Sequence, residues 1–353
     1  MSRFLNQKYA SLEVYTPGEQ PRDMKYIKLN TNESPYPPAP GVLEAVQGEV
    51  DLLRLYSDPE CAALRDAIAE LHGLKRENTY VANGSDDILN FAFMAFAGNG
   101  VPIYFPDISY GFYKVFAELN GIEYHKIPLK EDFSIDPADY MNVGGMIAIA
   151  NPNAPTGLNL SVAQIESILK ANPDNVVLID EAYVDFGGES CYPLIEKYDN
   201  LLVVQTFSKS RSMAGARLGF ALASKPLIED LNRLKFSTNP YNVNRMTLSA
   251  GLATIRANDY YMDNCKKIMA TREETTRRLE ELGFEVIPSC ANFIFAKSNK
   301  ISGEDLYQNL KKRGVLVRHF TSDRISDFNR ISIGTAEEMQ RFVEVTRDIL
   351  EER

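Results

Sequence analysis

The chain has 353 residues, 44% of them hydrophobic and 24% charged, with a net charge of -10. That length suits one large domain plus a smaller one, and the composition is that of a globular protein rather than a disordered or fibrous one. The acidic balance excludes general nucleic-acid binding, which needs a basic footprint, so an anionic ligand must be caught by local arginines.

Cys61, Cys191, Cys265 and Cys290 are widely spaced with no CxxC pair, and His72, His125 and His319 share no ligand spacing. Neither a metal site nor a disulfide framework is expected, and a reducing cytoplasm is the expected compartment. The first fifteen residues lack the apolar core of a signal peptide. No run reaches the roughly 18 apolar residues a membrane helix needs.

Residues 1–45 begin polar and reach Leu29-Asn30-Thr31-Asn32-Glu33-Ser34-Pro35-Tyr36-Pro37-Pro38. Prolines forbid regular structure there, so an extended arm is expected, with Asn32 and its neighbours available to a ligand. Helical patterns flank Leu55-Tyr56-Ser57-Asp58-Pro59, and Tyr56 stands just before a turn and a helix over 60–71. A short strand at Tyr80-Val81-Ala82 meets Asn83-Gly84-Ser85-Asp86-Asp87 and a helix over 88–97, apolar nearly all round and therefore buried. Asn83 and Ser85 are both candidate N-caps. Free N–H groups at a helix start form an anion site, so a phosphate is assigned to the backbone of Gly84, Ser85 and Asp86 and to the Ser85 hydroxyl. An ordinary capped helix reads the same way.

A strand over 101–105 leads into Pro106-Asp107-Ile108-Ser109-Tyr110, where Tyr110 is placed to stack on a flat ring. A buried strand over 145–150 opens into Asn151-Pro152-Asn153-Ala154-Pro155-Thr156-Gly157, a rigid loop in which cis X-Pro bonds are allowed, and a helix over 162–171 follows. In Val176-Val177-Leu178-Ile179-Asp180, four apolar β-formers put the Asp180 carboxylate at a strand's carboxyl end, the edge where open α/β sheets bind ligands. From there it can pair with a ring nitrogen and keep it protonated, and Tyr183 can donate to a ring oxygen. A magnesium-binding aspartate is the rival reading, but no GxxxxGK[ST] exists in the chain.

The organising stretch is residues 201–220, LLVVQTFSKSRSMAGARLGF. A buried strand over 201–204 ends in Gln205-Thr206-Phe207-Ser208-Lys209, and Arg217 follows eight positions after the lysine. Lysine amines attack carbonyls when uncharged, and the hydroxyls of Thr206 and Ser208 with the Arg217 fork suit one phosphate beside that amine. A lysine that forms an imine next to a phosphate site suggests pyridoxal 5'-phosphate. Strands near 80, 103, 148, 178 and 203 alternate with helices, which gives an α/β layered domain with a largely parallel sheet. Residues 236–244 read as a polar turn-rich segment, and helical periodicity dominates from Thr247. Strands over 284–287, 291–297, 315–318 and 330–333, with helices over 304–313 and 337–352, make an α+β domain of about 100 residues. Arg330 opens a strand and is expected to face the first domain. The expected division is 46–250 for the large domain, and 251–353 with the arm 1–45 for the small one.

The motifs LNTNESPYPP, LYSDP, NGSDD, PDISY, NPNAPTG, IDEAY, TFSKSRSMAGARLGF, NPYNVN, GVLVRHF and RISDFNRISIGT occur in this order over nearly the whole chain. In that order the sequence resembles the fold-type I PLP-dependent aminotransferases, and among them most closely the histidinol-phosphate subfamily. The resemblance implies a mostly parallel seven-stranded sheet flanked by helices, plus a small α+β domain. It implies that Lys209 links to the cofactor, Asp180 partners the pyridine nitrogen and Tyr183 the ring oxygen. Gly84, Ser85, Asp86, Thr206, Ser208 and Arg217 match the phosphate cup, and Tyr110 the stacking aromatic. Tyr56 matches a tyrosine that reaches the neighbouring subunit's cofactor, which requires a homodimer. Arg330 matches the arginine that grips the substrate's anionic group, with Arg318 and Asn32 completing that pocket. The implied substrates are histidinol phosphate and the glutamate/2-oxoglutarate pair, in histidine biosynthesis.

One position departs from the pattern. The resembled enzymes usually carry Asn before Pro-Thr-Gly, where this chain has Ala154. Asn153 is expected to substitute from one residue earlier, or Tyr183 to act alone, since a hydrogen bond to a charged group is worth about 1.5–3 kcal/mol. An aromatic aminotransferase or an amino-acid-phosphate decarboxylase of the same fold shares Lys209, Asp180 and Arg217. A non-catalytic regulator of this fold usually carries a basic DNA-binding module, and this chain has none to spare.

Overall fold

A computed structural model describes residues 2–10, 12 and 15–352. At its centre lies the strand Leu201–Thr206, buried at every residue. Among the described residues it belongs to a seven-stranded sheet whose spatial order is Thr79–Ala82, Gly219–Ala223, Leu201–Thr206, Val177–Asp180, Met146–Ala150, Ile103–Pro106 and Tyr124–Ile127. The last five run parallel, and Gly219–Ala223 is antiparallel to both its neighbours. Strands covered on both faces read as continuous apolar runs, which is why the interior ones were visible in the sequence. Two strands escaped that reading. The edge strand Tyr124–Ile127 buries little and carries His125 and Lys126, and Gly219–Ala223 follows so soon after Arg217 that it merged with the stretch before it.

Alternation along the strands sorts the core into two layers. On one face Ile147, Ile149, Val177, Ile179, Leu201 and Val203 meet the helices Ala62–His72 and Val162–Ala171. On the other Met146, Ala148, Leu178, Leu202 and Val204 meet Ser85–Phe96, Phe112–Asn120 and Lys225–Thr238. Burying each of the Val, Leu, Ile and Met side chains contributes about 1.5–3 kcal/mol. Helices Pro40–Gln47 and Arg245–Arg256 pack together and add Val42, Ala250 and Ile255 to the first layer.

The second body is an antiparallel four-stranded sheet, ordered Arg318–His319, Phe328–Ser332, Phe293–Ser298 and Phe284–Ile287. The helices Asn258–Glu281, Gly303–Lys312 and Ala336–Glu351 build its core with Ile268, Leu306, Leu310, Phe342 and Val343. The arm joins this body: Ile27–Lys28 pairs in parallel with Val315–Leu316.

Several local expectations need correcting. Arg330 sits in the middle of Phe328–Ser332, opposite Phe295 and Arg318, because pairing begins two residues earlier. The run 315–318 is split into two strands that serve different sheets. Residues 236–238 are the last turn of the helix Lys225–Thr238. Neither Asn83 nor Ser85 caps the helix Ser85–Phe96; the N-cap is Gly84, at φ 86°, where no side chain can cap. Among the described residues no helix is long and apolar enough to cross a membrane, and no cluster of potential ligands for a metal ion occurs.

Candidate active site

The carboxyl ends of Val177–Asp180 and Leu201–Thr206 are in register, Asp180 opposite Val204. Beyond those ends the chain turns away from the sheet and leaves a cleft. Its inner part, about 180 Å³, is lined among others by Ser85, Asp86, Tyr110, Ala154, Asp180, Tyr183, Thr206, Ser208, Lys209 and Arg217. Its outer part, about 460 Å³, reaches Tyr15, Gln20, Asn30, Asn32, Arg318 and Arg330. The larger domain's sheet ends, the arm and the small sheet thus share one cavity.

Asp180 forms the floor. It is 5% exposed, and its carboxylate accepts from the Tyr113 hydroxyl at 3.0 Å and from the Ala182 N–H at 3.2 Å. Burial pushes its pKa up to about 7, against the lowering effect of those two donors. Its neighbour Glu181 points the other way and is tied to Ser190 Oγ, the Cys191 N–H and Gln205 Nε2, a structural anchor behind the sheet. Tyr113 drew no reading from the sequence. Its one signal is its place three residues after Tyr110, in the first turn of the helix Phe112–Asn120, where the two rings meet edge-on at 5.7 Å.

At the phosphate end, the N-terminus of Ser85–Phe96 points its unpaired first-turn N–H groups outward. Glycine is required twice here. A Cβ on Gly219 would lie 2.5 Å from the Ser85 nitrogen, and one on Gly84 would lie 2.7 Å from an Arg217 Nη. Arg217 itself adopts φ 55° and donates to Asp86 at 3.0 Å. The Tyr110 hydroxyl donates to the other Asp86 oxygen at 2.7 Å. Asp86 therefore holds the guanidinium and the aromatic ring in place through its side chain. Thr206 and Ser208, both buried, line the same cleft, and the Thr206 hydroxyl accepts from the Ser208 N–H at 3.1 Å.

Lys209 Nζ donates to the Thr31 carbonyl at 3.1 Å and lies 5.7 Å from the Tyr183 ring centre. Tyr183 stands edge-on to Phe293 at 5.1 Å, and its hydroxyl accepts from Asn32 Nδ2 at 3.0 Å. Arg330 is half-buried, donates to the Asn30 carbonyl at 3.0 Å and leaves its Nε unpartnered. Burial lowers its pKa, and the guanidinium of Arg318 across the strand pair adds to the effect.

Asn153 is not brought into the cleft. It is 1% exposed, and its amide is spent on its own loop and the loop after Ile103–Pro106, accepting from Ser109 Oγ at 2.7 Å and donating to the Ile108 carbonyl and Thr156 Oγ1. Ala154 is the residue that lines the cleft instead. The expectation that Asn153 replaces the missing amide is not supported by this geometry. Tyr56 is also absent from its own chain's cleft: it is 79% exposed and stacks on Tyr241 at 4.5 Å.

These residues fit a flat aromatic aldehyde carrying a phosphate. Among the described residues the amine has no carboxylate partner and is held by the Thr31 carbonyl alone, the buried carboxylate of Asp180 lines the same cleft, and a glycine-lined cradle of N–H groups, hydroxyls and a guanidinium stands at one end. The comparisons with known proteins agree. The family model "Aminotransferase class I and II" matches residues 24–345. A histidinol-phosphate aminotransferase of Brachyspira hyodysenteriae is 53% identical over 352 residues, 99% of each chain. One of Marinomonas sp. is 54% identical over 344 residues, covering 96% of this chain and 97% of that one. The crystal structure of the Sinorhizobium meliloti histidinol-phosphate aminotransferase in complex with pyridoxal-5'-phosphate shares the fold, with TM-score 0.84 at 21% identity over 93% of this chain and 92% of that one. On this footing the chain belongs to the class I and II aminotransferases, and within them to the histidinol-phosphate aminotransferase family.

Proposed function

We propose that the protein moves an amino group between histidinol phosphate and 2-oxoglutarate, forming imidazole-acetol phosphate and glutamate, with pyridoxal 5'-phosphate as cofactor, as a step of histidine biosynthesis. The observation that carries this reading is one primary amine, Lys209 Nζ, set between a buried carboxylate at Asp180 and two arginines, Arg318 and Arg330, within one cleft. When bound, the cofactor supplies an electron sink for the carbanion that forms at the substrate Cα. Lys209 Nζ is the general base that takes the Cα proton. Asp180 would hold the protonated ring nitrogen, a task suited to a carboxylate whose charge is costly to bury unless a cation meets it. Tyr183 would donate to the ring oxygen and Tyr110 would cover the ring face.

The cofactor's phosphate would be held by the N–H groups of Gly84, Ser85 and Asp86, the hydroxyls of Ser85, Thr206 and Ser208, and Arg217. Glutamate presents a carboxylate and histidinol phosphate presents a phosphate. A guanidinium fork matches both anions, so Arg330, with Arg318 beside it, serves both half-reactions, and Asn32 completes the wall. In this reading residues 46–250 carry the cofactor and residues 1–45 with 251–353 supply the small domain, although the helices Pro40–Gln47 and Arg245–Arg256 straddle both limits and pack on the large sheet.

The working form in this reading is a homodimer. Tyr56 is exposed, and so are Leu43, Val50, Leu53 and Leu55 in the same stretch of chain, each about half exposed or more, a run of apolar side chains that a partner copy would cover. A second copy covers it and receives Tyr56 at its phosphate end and substrate wall. Four free cysteines suit a reducing cytoplasm.

Initial rates with 2-oxoglutarate and either histidinol phosphate, phenylalanine or threonine phosphate test the assignment. Histidinol phosphate is expected to lead in kcat/KM by about 100-fold or more. A lead for phenylalanine would move the protein to the aromatic aminotransferases, and release of carbon dioxide from threonine phosphate would move it to the decarboxylases.

A further inference from the structure

Three consecutive arm residues touch three functional side chains. The Asn30 carbonyl accepts from Arg330 at 3.0 Å, the Thr31 carbonyl from Lys209 at 3.1 Å, and Asn32 Nδ2 donates to the Tyr183 hydroxyl at 3.0 Å. The first two contacts use backbone atoms, which any residue supplies. The third uses a side chain, and that side chain is over-determined. Asn32 is 1% exposed and adopts φ 57°. Its Oδ1 accepts from Ser332 Oγ at 2.8 Å, its N–H donates to the same oxygen at 2.8 Å, and its carbonyl accepts from Asn292 Nδ2 at 2.9 Å. With Oδ1 accepting from Ser332 Oγ, Nδ2 is the atom that faces Tyr183.

A phenol has one proton to give and lone pairs with which to accept, all near the ring plane. The Tyr183 ring is fixed edge-on to Phe293 and packed on Ala154 and Ala291, so only the direction of its O–H is left to choose. We infer that Asn32 is a positioning residue for Tyr183: by donating to the hydroxyl oxygen from the arm, it leaves the Tyr183 proton directed into the cleft. The inference rests on the reading that Tyr183 faces the ring oxygen of the cofactor. The other titratable groups facing Tyr183 are Lys209 from the loop after Leu201–Thr206, Arg330 from the small sheet, Tyr113 from the helix Phe112–Asn120 and Asp180 on the floor. None of these side chains hydrogen-bonds the Tyr183 hydroxyl, and among the described residues Asn32 is the one that does.

The test is a double-mutant cycle on the cofactor-loaded protein, read by the pH midpoint of its near-visible absorbance band. Asn32→Gly removes the amide, and glycine keeps a positive φ without strain, so the arm retains its path. Hydrogen bonding to the ring oxygen favours its anionic form and lowers the proton affinity of the Lys209 nitrogen joined nearby. Asn32→Gly should therefore raise the midpoint by about half a unit or more, and Tyr183→Phe should raise it further. Adding Asn32→Gly to Tyr183→Phe should change nothing, because coupled residues are not additive. An unmoved midpoint in Asn32→Gly, or the same increment with and without the Tyr183 hydroxyl, overturns the assignment of Asn32. If Tyr183→Phe alone leaves the midpoint unmoved, the underlying reading of Tyr183 falls and takes this one with it.

Discussion

The floor of the cleft and its outer wall are assembled from differently connected parts of the chain. The floor consists of residues that follow directly from the ends of neighbouring strands. Asp180 and Lys209 are set by the register of two parallel strands, each buried throughout. The wall brings together segments some 300 residues apart: Asn32 meets Ser332, and Arg330 meets Asn30. Main-chain bonds join the arm to the small domain as far as Leu29, and beyond that residue the wall is closed by bonds that use side chains. The difference divides the work. A sheet edge that cannot move suits covalent chemistry at fixed distances. A wall built from two bodies suits the choice between two anions.

The largest effect should come from the floor. Lys209→Ala is expected to lower turnover of histidinol phosphate by about 1,000-fold or more, since it removes both the point of attachment and the general base. Borohydride reduction followed by peptide mapping should find the pyridoxyl group on Lys209 and on no other residue. Turnover that survives the substitution would place the amine elsewhere and dissolve the contrast between floor and wall.

Asp180 gives the next largest effect, in stability as well as rate. A buried carboxyl whose pKa is raised to about 7 in the folded protein, against an ordinary value near 4, favours folding while it is protonated. That contribution is complete below pH 4 and is lost as pH rises toward 7, as the folded protein is forced to ionise a buried group. The cofactor-free protein with Asp180→Asn should therefore gain on the wild type across that window, by roughly 4 kcal/mol at its upper end. Thermal melts of the cofactor-free pair between pH 4 and 8 measure it. A constant difference across that range would mean that Asp180 is already ionised and solvated. Loaded with cofactor, the order should reverse, because the wild-type carboxylate then meets a cation.

On the wall the expected effects are smaller and fall on binding. Arg330→Ala should raise KM for glutamate and for histidinol phosphate together, by about 10- to 100-fold, as a charge-assisted pair is lost. Arg330→Lys should recover only part of it, since an ammonium lacks the planar fork. A large fall in kcat with KM unchanged would assign Arg330 to the chemistry instead.

The same division explains what could be read beforehand. Strands buried on both faces announce themselves as apolar runs, and the polar residue that ends each run marks the sheet edge. Asp180 and Lys209 were legible for that reason. Tyr124–Ile127 was not, because an edge strand with an open face carries no such run. Tyr113 was hidden inside a helix pattern that is core for every other purpose, and its bond to Asp180 spans 67 positions. Asn32 stood out only as an amide on a rigid loop, and its partners Ser332 and Asn292 lie near the other end of the chain. Local patterns give the elements; which side chains then meet is decided by packing between them.

Asn153 offers the smallest and sharpest test of that lesson. From the sequence it was a candidate for the amide missing at Ala154, and in the fold it is one of the most buried polar residues around the cleft. Every group of its side chain is engaged within the loops that follow Ile103–Pro106 and Met146–Ala150. Asn153→Ala should therefore cost about 1–3 kcal/mol of stability, because Ser109 and the Ile108 carbonyl lose a buried partner. It should leave the pH midpoint of the cofactor's absorbance where it was. Asn32→Gly should do the opposite, moving the midpoint with a smaller change in the melting temperature. Two buried asparagines near one tyrosine would then be separated by what their amides face: loop backbone in one case, a functional hydroxyl in the other. A shifted midpoint in Asn153→Ala would return that residue to the ring oxygen, and would show that the floor bends toward the cofactor more than its hydrogen bonds suggest.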